Sequence, residues 1–205
     1  MKKFELTNEF ITNMFGTKLF RIRALVEFGD VEAGELGGYV EKESNLGHDD
    51  NAWVYGNAWV YGDAQVSGDA LVYGNAWVYG DAQVSGNALV YGNAWVYDNA
   101  WVYGDAQVSG DARVCGDARV CGNGDYAYAH GFGSVNRTTT FFRLKDGGVG
   151  VRCGCFYGTL AQFRDKIRET HGETKKAQEY LMLADLMELR FEEDENEVGN
   201  RKYVE

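Results

Sequence analysis

Residues 51–68 read NAWVYGNAWVYGDAQVSG and contain three near-copies of one six-residue phrase. The phrase, Asn or Asp followed by Ala-x-Val-x-Gly, recurs twelve times without a gap from Asn51 to Gly122, and only Asp98 replaces the closing glycine. A period of six matches neither a helix, at 3.6 residues, nor a simple strand, at two. It suits a short Ala-x-Val strand followed by a Gly-Asx corner that adopts positive φ. Three such sides make one triangular coil, so the twelve hexads predict a β-helix of four coils.

The unvarying columns of the repeat indicate which side chains face inward. Ala52 and Val54 share one side of their strand, and Trp53 and Tyr55 share the other. Ala and Val occupy their columns in all twelve hexads, as the narrow interior of a prism requires. The other columns vary and include Arg113, a residue that is costly to bury without a partner. We therefore expect Ala and Val to form the core and the aromatic rings to face outward.

A longer period distributes the outward residues over three faces. Units of three hexads repeat until Asp98, after which one additional hexad rotates every later side by one face. The predicted tryptophan face carries Trp59, Trp77 and Trp95 beside Tyr61, Tyr79 and Tyr97; the leucine face carries Trp53, Leu71 and Leu89 beside Tyr55, Tyr73 and Tyr91; the glutamine face carries Gln65, Gln83 and Trp101 beside Ser67, Ser85 and Tyr103. The fourth coil is polar, from Gln107 to Cys121. Because contiguous exposed apolar area marks interfaces, we expect one aromatic face to be buried between subunits or under the terminal segments.

The hexads resemble those of the hexapeptide-repeat superfamily over roughly a third of the chain. That resemblance implies a left-handed parallel β-helix and association as a homotrimer about a threefold axis. The segment GELGGYVEKESNL (34–46) and the order FFRLKDGG, CGCFYGTLAQF and HG near the C-terminus resemble phage- and prophage-encoded members of unassigned function. The resemblance therefore also implies a phage or prophage origin.

The flanks divide the chain into an N-terminal capping segment (1–45), the β-helix (46–124) and a C-terminal α+β domain with an acidic tail (125–205). A cap is required because a solenoid end exposes unpaired strands and apolar interior. In the N-terminal segment, KLFRIRAL (18–25) alternates as a strand with Phe20, Ile22 and Ala24 on one side.

The C-terminal segment predicts a hairpin followed by two helices. Residues 145–148, KDGG, form the hairpin turn. Thr159 to Gln162 reads as a capping box that opens a helix, and Gly172 ends it after His171. A second helix is predicted over 174–191. The stretch FEEDENEVGNRKYVE (191–205) is too highly charged to fold alone and is expected to fray.

Composition restricts the classes of partner. Thirty-one acidic residues against twenty basic ones give a net charge of −11, which argues against direct binding to a nucleic-acid backbone. The sequence contains no apolar run long enough to cross a membrane and no apolar stretch behind Lys2 and Lys3 to form a signal peptide. The four cysteines are too few and too clustered for a secreted disulfide scaffold. We therefore expect a reduced, cytoplasmic protein of a bacterial host cell.

The hexapeptide-repeat resemblance also raises the alternative of an acyl-CoA-dependent acyltransferase, whose general base would be a histidine on a coil. The hexads contain no histidine. His130, in DYAYAHGFGS just beyond the last coil, is the candidate catalytic residue. His48 stands beside Asp49 and Asp50 and is expected to be solvated. His171 is explained by the helix dipole at the end of the first helix.

The sequence gives only weak indications of a metal site or of a role as a DNA mimic. Cys153 and Cys155 share one side of a strand, but Cys115 and Cys121 are expected on other faces and no CxxC pair exists. We expect no metal and no cofactor, with the thiols packed as small apolar groups. An acidic DNA mimic is a lesser alternative, because its corner stripe of Asp63, Asp81 and Asp117 is interrupted by Asn99.

The leading interpretation is a non-catalytic, oligomeric β-helix binding protein. Its partner would be a small ligand, in one version nucleotide-like, or a host protein, in a role against host defence. Its predicted ligand and interface residues are the outward rings and two arginines: Trp53, Tyr55, Trp59, Tyr61, Trp77, Tyr79, Trp95, Tyr97, Trp101, Tyr103, Arg113 and Arg119.

Overall fold

A computed structural model describes residues 2–133 and 136–192. The acidic tail that was expected to fray lies outside the described residues from position 193 onward. The N-terminal elements are strands β1 (Phe4–Thr12), β2 (Lys18–Ala24) and β3 (Leu36–Val40) and a 3-10 helix (Glu43–Asn45). The hexads form twelve two-residue strands: β4 (Trp53–Val54), β5 (Trp59–Val60), β6 (Gln65–Val66), β7 (Leu71–Val72), β8 (Trp77–Val78), β9 (Gln83–Val84), β10 (Leu89–Val90), β11 (Trp95–Val96), β12 (Trp101–Val102), β13 (Gln107–Val108), β14 (Arg113–Val114) and β15 (Arg119–Val120).

The twelve short strands stack in parallel as the three sides of a β-solenoid. One side runs β5-β8-β11-β14, the second β4-β7-β10-β13 and the third β6-β9-β12-β15. Each strand pairs in register with the one eighteen residues later, as Trp59 does with Trp77. The three predicted faces and their rotation after Asp98 are confirmed.

The solenoid has about five turns rather than the predicted four. The extra turn lies before the hexads, where β3 pairs in parallel with β5 and Leu46 forms a parallel bridge with Val66. These residues lack the hexad motif, so counting hexads missed them. Asn45, at the end of the 3-10 helix, is fully buried in this turn, where its amide donates to the carbonyls of Gly62 and Ala64 at 3.0 and 2.9 Å.

The alanine and valine columns form the core. All twelve alanines and all twelve valines of the hexads are fully buried, which confirms the inward assignment. The corners favour glycine for two reasons: they adopt positive φ, 72° at Gly80, and consecutive coils approach closely, so that a Cβ at Gly80 would lie 3.0 Å from the backbone nitrogen of Asp98. Asp98 keeps this conformation with φ of 57°, since aspartate tolerates the left-handed region.

The N-terminal hairpin covers the first coil. Strand β2 pairs antiparallel with β1 and with β3, which extends the β5 side of the solenoid into a seven-stranded sheet. Phe4, Ile22 and Ala24 join the solenoid core, whereas Phe20 is half-buried against Phe10. Leu19, on the opposite side of β2 from Ile22, packs against Tyr61.

Lys3 completes the N-terminal cap. Its ammonium group donates to the carbonyls of Ala52 and Asp50 at 2.9 and 3.2 Å and lies over the Phe28 ring. Burial lowers the pKa of Lys3. The lysine therefore satisfies carbonyl groups that the end of the solenoid would otherwise leave unpaired.

The C-terminal unit is a four-stranded antiparallel sheet covered by two helices. Its elements are β16 (Tyr126–Phe132), β17 (Arg137–Arg143), β18 (Val149–Cys153), β19 (Phe156–Thr159), α1 (Leu160–His171) and α2 (Lys175–Phe191). The predicted hairpin turn joins β17 to β18, and the capping box at Thr159 and the helix end at Gly172 are present. None of the described helices has the length and hydropathy needed to cross a bilayer.

Candidate functional site

The tryptophan face consists of two parallel ladders of rings. Trp59, Trp77 and Trp95 stack with centroid distances of 4.5 and 4.7 Å and planes within 8°. Beside them, Tyr61, Tyr79 and Tyr97 stack at 5.0 Å. The six residues come together because hexads eighteen residues apart lie directly above one another. Both predicted ladders are confirmed.

On two faces of the solenoid, an arginine of the last coil lies over the last tryptophan ring. The Arg113 guanidinium lies 4.4 Å from the centroid of Trp95. Arg119 lies at the same distance from Trp101 on the glutamine face and also donates to the carbonyls of Asn99 and Ala118. Both guanidinium groups therefore already form cation–π contacts with tryptophan rings of the preceding coil.

The ladders leave ring edges, rather than ring faces, for a partner. Trp77 has Trp59 on one side and Trp95 on the other, and Arg113 covers the far side of Trp95. A nucleobase binds tightly by stacking on an open aromatic face. The interior rungs of the tryptophan face therefore offer no place for a nucleotide-like ligand to stack.

Trp53 is the exception to the outward exposure of the rings. Although it points away from the prism, it is 0% exposed because Phe4 and Phe28 pack edge-on against it at 6.2 and 5.3 Å. Its indole nitrogen has no hydrogen-bond partner in the part of the chain that the structure describes. The expectation of an accessible contact residue is wrong for Trp53. The N-terminal cap buries this end of the leucine face. This agrees with the expectation that a terminal segment, rather than a second subunit, could cover an aromatic face.

The remaining predicted contact residues differ in accessibility. Tyr61 and Tyr97 are buried, whereas Trp101 is 42% exposed on the otherwise polar glutamine face. Tyr55 and Tyr103 are half-buried. The structure therefore separates the predicted set over three faces rather than gathering it into one pocket.

Burial sets the acid–base behaviour of the tyrosine ladder. It raises the pKa of Tyr61, Tyr79 and Tyr97 above the ordinary phenol value. Cys115 continues the column above Tyr97, and burial raises the pKa of its thiol to about 11. Both kinds of group are thus held in their neutral, hydrogen-bonding forms at physiological pH.

The leucine face ends in a cleft that the sequence reading missed. Tyr73 and Tyr91 stack at 4.9 Å, but the next residue of their column is Ser109. Tyr126 pairs with backbone groups at the open edge of β13: its hydroxyl donates to the Gln107 carbonyl at 2.6 Å and accepts from the Ser109 nitrogen at 3.3 Å. The signal available in the sequence was the change from tyrosine to serine after three tyrosines in one column.

His130 lies outside the coils, on β16. It is exposed, and its Nδ1 is 2.9 Å from the Thr138 hydroxyl on β17. Among the described residues this is its one hydrogen bond. Within residues 2–133 and 136–192, neither a carboxylate nor a second histidine orients the imidazole, as a general base normally requires.

His48 is packed rather than solvated, contrary to expectation. Its ring stacks on Phe4 at 4.5 Å, its Nδ1 accepts from the Lys3 nitrogen at 3.1 Å and its Nε2 lies 2.9 Å from Glu43. His48 therefore helps to attach the N-terminal strand.

The cysteines and corner carboxylates take part in local packing. Cys153 accepts from the Thr139 hydroxyl at 3.2 Å, whereas Cys155 is exposed. Within residues 2–133 and 136–192, no group of three or more His, Cys, Asp or Glu side chains is placed to hold a metal ion. Corner carboxylates accept from asparagine amides one coil earlier, as in the pair Asn87 and Asp105 at 2.9 Å.

Comparison with known families identifies the repeat. Residues 64–80, 82–98 and 106–122 match the family model described as the YdcK beta solenoid repeat. No curated protein matches the chain. The matched segments lie within the coils, so the chain is a β-helix repeat protein.

Proposed function

We propose that this protein is a non-catalytic, oligomeric binding protein of the hexapeptide-repeat type, encoded by a phage or prophage. Copies of the chain associate through the tryptophan face as a homotrimer. The assembly then holds a small ligand or a host protein, which suits a role against host defence. The main support is the tryptophan ladder, whose three half-buried indoles present a strip of ring edges beside a largely buried tyrosine ladder.

The chemistry of this strip favours a flat protein surface as its partner. Stacking covers the faces of the interior rings, so the strip offers mainly edges, including the edges of half-buried indoles. Large aromatic side chains at the centre of an interface supply much of its binding energy. A second copy of the same regular surface is the simplest occupant that matches its repeat along the solenoid.

The distribution of charge also favours the tryptophan face as the interface between copies. The chain carries a net charge of −11, so copies repel one another, and a neutral contact surface adds the least further repulsion. The corner before the tryptophan face carries Asn57, Asn75 and Asn93, whereas the corner after it carries Asp63 and Asp81. The tryptophan strip and its leading corner thus form an uncharged region suited to self-association.

The mass in solution tests the assembly. Light scattering should give three times the chain mass of 22.9 kDa. A monomer at micromolar concentration would contradict self-association, and a dimer would contradict the threefold arrangement.

The non-catalytic part has a separate test. The chain and its His130→Ala variant should release no free CoA from acetyl-CoA in the presence of amine or hydroxyl acceptors. Turnover that depends on His130 would instead support the acyltransferase alternative.

A further inference from the structure

The tyrosine column of the leucine face stops one coil before the solenoid does. Tyr73 and Tyr91 are parallel within 1°. The fourth coil remains in register, since Leu89 pairs with Gln107, yet position 109 carries serine. Among residues 2–133 and 136–192, the one ring stacked on Tyr91 is Tyr73. The place that a fourth ring would fill is therefore left to a side chain too short to cover the Tyr91 ring.

A cleft of about 440 Å³ occupies this place. Its lining includes Tyr91, Gln107, Ser109, Asn123, Tyr128 and Arg190. The cleft is open to solvent over much of its extent, and its volume lies within the range of small-molecule sites, about 300–1,000 Å³. Gly110 helps to shape the cleft, because a side chain there would overlap the Tyr128 hydroxyl.

The lining selects for charge as well as shape. Arg190, in the last turn of α2, donates to the Asn123 carbonyl at 3.4 Å, which keeps its guanidinium at the cleft. It is the charged member of the lining, which contains no carboxylate among the described residues. The Asn123 side-chain oxygen accepts from the Gln107 nitrogen at 2.9 Å, so its amide NH2 remains as a donor.

We propose that this cleft binds a small planar aromatic molecule that carries one carboxylate or phosphate. The aromatic group stacks on Tyr91 in the place of a fourth ladder ring, and the anion pairs with Arg190. Stacking tolerates different ring systems, whereas a guanidinium binds carboxylate and phosphate oxygens with a fixed geometry. The proposal rests on the binding role proposed above and names its ligand class and site.

Aromatic carboxylates and nucleoside monophosphates share this chemistry, so the test uses both. Calorimetric titrations would use the four ribonucleoside 5′-monophosphates, benzoate, indole-3-acetate and the uncharged nucleoside adenosine. We expect saturable binding of at least one anionic probe, and at least about tenfold weaker binding of adenosine than of adenosine monophosphate if the nucleotides are the ligands. Absence of saturable binding by every anionic probe at millimolar concentration would overturn the proposal.

Two variants locate the site. Ser109→Tyr supplies the fourth ring and should abolish binding without lowering the melting temperature, whereas Ser85→Tyr, on the glutamine face, should bind as wild type. Arg190→Gln removes an exposed charge and should weaken anionic probes about tenfold while leaving adenosine unchanged. Wild-type affinity in both Ser109→Tyr and Arg190→Gln would place binding elsewhere and overturn the assignment.

The mass of the same samples separates this proposal from self-association. Binding by a chain that proves monomeric would support the cleft and contradict the assembly. A trimer that binds no probe would contradict the cleft alone.

Discussion

The guanidinium of Arg113 lies 4.4 Å from the centroid of the Trp95 ring and ends the tryptophan ladder. Arginine is thus the next rung of the column, since Trp95 and Arg113 are register partners on β11 and β14. A stacked cation satisfies the last ring face while its charge stays near solvent. The polar fourth coil therefore terminates the aromatic ladder instead of extending it.

Arg113→Met keeps the length of the side chain and removes the cation. We expect a loss of about 1 kcal/mol, the usual range for a half-buried cation–π contact, and a fall in melting temperature of about 2–4 °C. Thermal unfolding, monitored by circular dichroism, measures this fall in melting temperature. Lys176→Met, at an exposed lysine on α2, controls for the loss of a surface charge. An equal effect in both variants would show that stacking on Trp95 contributes nothing.

Gly38 allows β3 to lie against the first coil. A Cβ at this position would lie 2.7 Å from the Ala58 carbonyl oxygen and 2.8 Å from the nearest Val54 methyl group. Gly38→Ala should therefore cost about 1–3 kcal/mol, as overpacking of a core does. Gly122→Ala is the matched control, because a Cβ there meets nothing within 4 Å. Chemical unfolding of both variants would test this, and equal stabilities would contradict the close packing of the cap.

The buried tyrosine ladder predicts loss of stability in alkali. Burial raises the pKa of Tyr61, Tyr79 and Tyr97 in the folded chain above the unfolded value of about 10. The folded state then retains protons that the unfolded state releases, so the contribution of these tyrosines to stability is complete below pH 10 and is lost as pH rises further. Melting temperatures between pH 8 and 11.5 should show this decline, and Tyr79→Phe should reduce its slope. Identical slopes would contradict the assignment.

The repeat explains how much of the fold the sequence predicted. Each hexad has the same local pattern, an inward alanine and valine, such as Ala52 and Val54, followed by a corner. The register of every coil is therefore predicted by all the others. The lead-in turn escaped prediction because it meets the same geometric needs with different residues: Gly38 stands in the place of an alanine, and Leu46 pairs with Val66. Its pairing with β5 became visible only in three dimensions.

The candidate site was less predictable because outward direction does not determine exposure. Trp53 and Trp77 stand at equivalent places in the repeat, yet Phe4 and Phe28 cover Trp53 from segments without periodicity. Stacking removes the faces of Trp77 in the same way, through neighbours eighteen residues away. The cleft at Ser109 depends on Arg190, more than eighty residues further along the chain, which no local pattern connects to it.

Self-association through the tryptophan face predicts different effects for two arginine substitutions in one coil. Trp77→Arg places a charge in the middle of the proposed interface, where loss of a central tryptophan costs about 2 kcal/mol or more, or about thirtyfold in affinity. Gln83→Arg places the same charge on the exposed glutamine face, six residues later. Analytical ultracentrifugation over a concentration series should give a largely monomeric Trp77→Arg chain and a wild-type assembly for Gln83→Arg. Circular dichroism must show that both variants retain the β-solenoid, since Trp77 also supports Trp59 and Trp95. Dissociation of Gln83→Arg with an intact Trp77→Arg oligomer would move the interface to the glutamine face.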